Sequence, residues 1–251
     1  MLQQHPQTII FAHRGASAYA PENTLAAFHL AVQQNADAIE LDTKLSRDGH
    51  VVVIHDRTVD RTTSGTGQVN DMTLSELQEL DAGSHFNATF KDEHIPTLDE
   101  VFSLLGEYIL INIELTNYAS IYDDLPYKVA QVVELHKFKH NLLFSSFNPI
   151  ALRRIHRRLP EVPLGLLALQ GRKGWWARNP LGKILVPYQA LHIELGDTSS
   201  SLIKWVQNSG KRIHVYTVNN AEDIAQLYKL HVDGIFTDDV PLARNVITNF
   251  Q

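Results

Sequence analysis

The chain has 251 residues, 44% of them hydrophobic and 20% charged, an ordinary globular composition. With 22 Lys and Arg against 28 Asp and Glu the formal charge is −6, which argues against a nucleic-acid partner. The absence of Cys excludes disulfides, thiolate metal sites and a Cys nucleophile, and accords with a reducing compartment.

The N-terminal run MLQQHPQTIIFAHRG has no basic stretch and no long apolar run, so no signal peptide is expected and a cytoplasmic location is. Its apolar part, 7–12, is the first of eight short runs that read as strands. The others are 37–42, 109–114, 141–146, 163–168, 190–195, 212–218 and 233–237. Helical patterns occupy 23–35, 97–106, 121–138, 148–159, 198–209, 221–231 and 239–247, with Asn23, Thr97, Asn148 and Asn220 as start signals. Strands and helices in alternation predict a parallel sheet, and eight strands in this length predict an α/β fold of the (β/α)8 TIM-barrel type.

Two segments interrupt the alternation. After the second strand, Asp48-Gly49 lies between two extended runs and reads as a two-residue hairpin turn, which sets 45 against 52 and Asp42 against His55. Residues 57–96, with several Gly, Ser and Thr and one short helical pattern, read as an insertion within one domain spanning 1–251. The second break, 171–188, carries Arg172, Lys173, Arg178, Lys183, Trp175 and Trp176 and no acidic residue. It is expected to overhang the catalytic face, its tryptophans either packed on the barrel or turned toward an anionic substrate or lipid interface. No run reaches the roughly 18 apolar residues of a membrane span, so stable membrane insertion is not expected.

In a barrel the C-terminal strand ends form the catalytic face. Here they carry His13-Arg14-Gly15, Glu40 and Asp42, and Glu114, with His55 at the end of the hairpin. Glu40 and Asp42 share a strand face, as do Asn112 and Glu114. Carboxylates converging in an apolar mouth repel one another, and a cation compensates them; oxygen ligands favour Mg²⁺ or Ca²⁺. Two imidazoles beside such a cluster suit general acid and base work near neutral pH.

The sequence resembles the glycerophosphodiester phosphodiesterases over about residues 8–242. The resemblance rests on His13-Arg14-Gly15-Ala16, Pro21-Glu22-Asn23-Thr24, Glu40-Leu41-Asp42, Asp48-Gly49, His55-Asp56, Arg61-Thr62-Thr63, Pro96-Thr97-Leu98, Asn112-Ile113-Glu114, Ser146-Phe147, Thr217-Val218-Asn219 and Gly234-Ile235-Phe236-Thr237-Asp238. It implies a TIM barrel of the phosphatidylinositol-phospholipase-C type that hydrolyses small-molecule glycerophosphodiesters to sn-glycerol 3-phosphate and an alcohol. It makes His13 and His55 the acid/base pair, Glu40, Asp42 and Glu114 the ligands of one divalent metal, and Arg14 a phosphate contact. The Pro21–Thr24 segment reads as a helix start with Asn23 as N-cap. Phe147 and Tyr216, at strand ends, either flank the glycerol moiety or belong to the core. Where the family often has Lys two residues after the glutamate of Asn112-Ile113-Glu114, this chain has Thr116, and Lys44, on the face of Glu40 and Asp42, is a substitute cation. A phospholipase or lyase activity ending at a cyclic phosphate, and a non-catalytic glycerophosphodiester-binding protein, remain the alternatives.

Overall fold

The computed structural model describes residues 8–106, 108–136 and 140–250. Position 7 of the first predicted strand and positions 137–138 of the helix predicted over 121–138 lie outside the described residues. The strands are β1 (Ile9–Ala12), β2 (Ala38–Leu45), β3 (Val51–Val53), β4 (Leu110–Leu115), β5 (Leu142–Ser146), β6 (Leu164–Ala168), β7 (Ala190–Glu194), β8 (Arg212–Tyr216) and β9 (Gly234–Thr237). The helices are α1 (Leu25–Gln33), α2 (Leu74–Gln78), α3 (Leu98–Leu105), α4 (Leu125–His136), α5 (Pro149–Arg158), α6 (Pro180–Leu185), α7 (Ser200–Asn208), α8 (Ala221–Lys229) and α9 (Val240–Thr248).

Eight parallel strands close on themselves in the order β1-β9-β8-β7-β6-β5-β4-β2, with β1 paired to both β2 and β9. This is a (β/α)8 barrel, and its strands are the eight apolar runs of the sequence. Alternation along each strand divides the core. Ile10, Ile39, Leu41, Ile111 and Ile113 face the helix layer, where Phe28, Leu98 and Val101 meet them. Ile9, Phe11, Ala38, Leu110, Leu143 and Phe236 fill the barrel interior.

The interior becomes polar toward the strand C-termini. Along β2 the inward series runs Ala38, Glu40, Asp42, and along β4 it runs Leu110, Asn112, Glu114; register places Glu40 beside Asn112 and Asp42 beside Glu114. Beside the apolar floor lie two fully buried histidines, His192 and His214. Their rings fit because Gly165 has no side chain: a Cβ there would stand 2.5 Å from the His192 ring.

β3 pairs antiparallel with β2, but one residue out of the predicted register. Leu45 lies opposite Val51 and Lys44 opposite Val52, and the Ile54 amide donates to the Asp42 carbonyl at 3.0 Å. His55 is therefore one position beyond the pair with Asp42. The loop has three residues, Arg47-Asp48-Gly49, closed by bonds from the Ser46 amide to the His50 carbonyl and from the Gly49 amide to the Ser46 carbonyl. Gly49 has φ +80°, the left-handed residue of a three-residue hairpin loop. The Asp48 carboxylate accepts from Ser46 Oγ and the Leu74 amide, which fixes the longer loop.

The helix starts follow the predicted signals at Thr97, Asn148 and Asn220, each accepting from an amide of the first turn. Asn23 is not the cap of α1. Thr24 is, accepting from the Ala27 amide, because Asn23 sits in the left-handed region at φ 58° and its amide is engaged elsewhere. Residues 57–96 cover the outer side of the hairpin with α2 and a small core of Val52, Val59, Val69, Leu77 and Ile95. In the segment after β6, Trp176 packs on the main core while Trp175 is exposed. Among the described residues no helix is long and apolar enough to cross a membrane.

Candidate active site

Three carboxylates define the mouth of the barrel. Oxygen atoms of Glu40, Asp42 and Glu114 lie within 4.8 Å of one another. Glu40 and Asp42 are buried and Glu114 half-buried. Burial, and then the charge of Asp42, pushes the Glu114 carboxyl up to about 8 and the Glu40 carboxyl well above the ordinary range. Such a cluster is under strong pressure to acquire positive charge.

The chain supplies some of that charge through the first strand's loop. Arg14 and Gly15 both have positive φ, and this turn aims the Arg14 amide at Glu40 Oε2, 2.9 Å away. The Arg14 guanidinium lies 3.4 Å from Asp42 and 2.8 Å from Glu22. Gly15 is required for space as well as for φ, since a Cβ there would fall 2.7 Å from Ala27. Asn23 holds Asp42 from both sides: its Nδ2 donates to the carboxylate at 2.9 Å, and its Oδ1 accepts from the Asp42 amide at 3.2 Å. The Pro21–Thr24 segment thus positions a site carboxylate as well as starting a helix.

The two predicted imidazoles sit at the edges of this cluster, each oriented by a carboxylate. His13 Nδ1 is 2.7 Å from Asp238, which also accepts from Ser17 and Asn219. His55 Nδ1 is 2.7 Å from Asp56. An Nδ1 proton held by a carboxylate leaves Nε2 as the nitrogen that exchanges a proton with a ligand. Arg61 donates to both Asp56 and Glu22, so Arg14, Glu22, Arg61, Asp56 and His55 form one chain of contacts. Hydrogen bonds from Arg61 hold Asp56 far below the usual carboxylate range. Burial opposes ionisation of Glu22, yet bonds from Arg61 and Arg14 bring it to about 2.

Lys44 is brought against Thr116. Its Nζ donates to Thr116 Oγ1 at 2.8 Å, and that hydroxyl donates to the Thr43 carbonyl at 2.7 Å. Lys44, His55, Tyr118 and Asp123 line one cleft of about 610 Å³. A smaller cleft of about 390 Å³ is lined by His13, Arg14, Ser17 and Asp238. Phe147 and Tyr216 meet edge to face at 6.1 Å, and Tyr118 meets Phe147 at 5.6 Å. The Tyr118 hydroxyl donates to Glu114 at 2.5 Å, so this aromatic wall adjoins the carboxylates at Tyr118, while Tyr216 packs against the barrel-interior core.

Glu22, Asp56, Arg61, Tyr118 and Asp238 join the site beyond the residues given roles from the sequence. Asp56 and Asp238 carried a signal, since each directly follows a strand-end element already singled out. Tyr118 carried none, because it reaches Glu114 from a loop of irregular course.

An α/β barrel with acidic residues, a guanidinium and two carboxylate-bound imidazoles at its C-terminal mouth is an enzyme built for anionic substrates. The chain belongs to the glycerophosphoryl diester phosphodiesterase family, whose model matches residues 13–242. A glycerophosphodiester phosphodiesterase of Caldanaerobacter subterraneus is 39% identical over 242 residues, 96% of this chain and 98% of its own length. One of Bacillus altitudinis is 34% identical, over 92% and 94%. Among solved structures, a phosphodiesterase of Oleispira antarctica in complex with the product sn-glycerol-3-phosphate superposes with a TM-score of 0.87, at 31% identity over 96% of this chain and 97% of that one.

Proposed function

We propose that this chain hydrolyses glycerophosphodiesters to sn-glycerol 3-phosphate and an alcohol by general acid and base catalysis from His13 and His55, with a divalent cation held by Glu40, Asp42 and Glu114. The observation that carries the reading is the pair of imidazoles, each with Nδ1 on a carboxylate, bordering a three-carboxylate cluster.

The cluster fits a hard cation. All its donors are oxygens, their mutual distances suit ligands at about 2.0–2.6 Å from one ion, and burial leaves the carboxylates short of compensating charge. That donor set supports Mg²⁺ or Ca²⁺. When bound, such a cation supplies Lewis-acid charge against the non-bridging phosphate oxygens.

The remaining steps belong to the chain. Arg14, already oriented by Glu22, binds the phosphate, and Lys44 adds a second cation from the opposite cleft. Phe147 and Tyr216 flank the glycerol moiety, covering its carbons while leaving its hydroxyls to polar neighbours. The larger cleft adjoins His55 and suits the variable alcohol, so His55 Nε2 delivers the proton to the departing alkoxide. His13 Nε2, adjoining the smaller cleft, takes the proton from the attacking oxygen, and Asp238 stabilises the imidazolium that forms. The described residues act as one barrel domain in which 57–96 is an insertion that supplies Arg61 to the Asp56 side. The lack of Cys accords with a reducing compartment such as the cytoplasm.

A coupled assay for sn-glycerol 3-phosphate on a panel of glycerophosphodiesters, with and without EDTA, tests the reading. Release of the product and its loss on chelation are expected; full activity in EDTA refutes the metal. Phosphorus NMR of the mixture separates hydrolysis from a reaction that stops at a cyclic phosphate.

A further inference from the structure

The segment after β6 presents a surface that the catalytic reading does not use. It leaves the rim of the mouth at Ala168, whose carbonyl accepts from the Tyr216 hydroxyl at 2.6 Å. Trp175 then stands 64% exposed and Ile184 75% exposed. On α6, Leu181, Ile184 and Leu185 are all exposed; their spacing of three and four puts them on one helix face. Single exposed apolar residues are common; here four large ones, Trp175, Leu181, Ile184 and Leu185, fall within eleven positions.

The charge of the segment selects what covers it. Residues 171–188 hold four cations and no anion in a chain of net charge −6. Arg178 is tied to Asp197, and Lys183 lies over the Trp205 ring at 4.4 Å. Arg172 and Lys173 are exposed beside Trp175. Gly171, Arg172, Trp175 and Arg178 line an open cleft of about 500 Å³, a guanidinium-walled space suited to an anionic head group. Apolar side chains including a tryptophan, with cations beside them, form the composition of an interfacial membrane contact.

We propose that this face adsorbs reversibly to an anionic bilayer, with Trp175, Ile184 and Leu185 at the acyl boundary and Arg172 and Lys173 among the head groups. Adsorption holds the mouth of the barrel beside the lipid surface without any spanning helix.

The test sediments the full chain with sucrose-loaded vesicles of phosphatidylcholine, with and without phosphatidylglycerol, and records tryptophan emission. Binding to the phosphatidylglycerol vesicles alone is expected, with a blue shift and release by added salt. Arg172→Gln with Lys173→Gln should weaken binding about thirtyfold. Trp175→Ala should remove most of the blue shift, and Ile184→Ser should weaken binding without it. Turnover of a soluble glycerophosphodiester should be unchanged in all of these exposed-site variants. Equal binding to both vesicle types, or binding to neither, overturns the proposal. So does a wild-type dimer that Trp175→Ala dissociates and that ignores vesicles, which assigns the face to a second copy of the chain.

Discussion

Lys44 and Thr116 are two halves of one arrangement. The threonine is too short to bring a cation to the phosphate, but its hydroxyl anchors the Lys44 ammonium at 2.8 Å. Burial lowers the pKa of this lysine while Asp42 and Glu114 act to raise it. If Lys44 supplies the second cation, Lys44→Met should cut kcat/KM by about tenfold or more, the effect of one charged contact of about 1.5–3 kcal/mol. Adding Thr116→Lys to that variant should recover part of the loss, and steady-state kinetics on one substrate checks both; wild-type values for Lys44→Met would leave Arg14 sufficient. Asn23 offers a second case in which a neighbour determines a site residue. It holds Asp42 through both its amide atoms, so Asn23→Ala should weaken Mg²⁺ or Ca²⁺ binding by about 10- to 100-fold in a calorimetric titration, the usual cost of losing an outer-shell partner. Unaltered affinity would show that Asp42 is held well enough by its strand.

At the scale of elements, function depends on where strands hand over to loops. Asp238 follows β9 directly and is fixed by Asn219 and Ser17 before it meets His13. Asp238→Asn preserves the shape but presents the wrong partner to Nδ1, so kcat should fall by about 10²- to 10⁴-fold with little change in KM. A loss confined to KM would assign Asp238 to substrate binding instead. Much of this framework was legible in the sequence, because the barrel strands are apolar runs and β2 and β4 carry period-two polar residues toward their ends, Glu40 and Asp42 on one and Asn112 and Glu114 on the other. The hairpin register was not. Whether Asp48-Gly49 closes a two- or a three-residue loop depends on Ser46 and Leu74 bonding to the Asp48 side chain, and Leu74 is remote in sequence. Asn23 was misread for a similar reason: next to a threonine it resembles a cap, and only the folded neighbour Asp42 shows its use.

Across the whole molecule, the barrel interior changes from apolar floor to charged mouth, and the buried His192 and His214 pair marks the transition. One ring donates to the other across 3.1 Å, and Phe11 and Phe236 pack within about 5.0 Å of them. Burial brings His192 down to about 3, and burial with the charges of His192 and Arg212 brings His214 well below its ordinary value. Both are neutral when folded, whereas in the unfolded chain both protonate near pH 6.5. Between about pH 6.5 and 3 the unfolded state therefore binds up to two more protons. Stability from this pair is fully present above pH 6.5 and declines as pH falls, by up to about 1.4 kcal/mol per pH unit for each histidine. Carboxylates such as Asp56 and Glu114 also titrate in acid, but they cancel when the wild-type chain is compared with a His192→Gln, His214→Gln variant. Urea unfolding at pH 7.5, 6, 5 and 4.5 should show the variant less stable at neutral pH, because the polar pair is disrupted, yet markedly flatter in its pH dependence. Parallel curves for the two proteins would mean that the pair acquires its protons without unfolding, and that water reaches the barrel floor between Phe11 and Phe236.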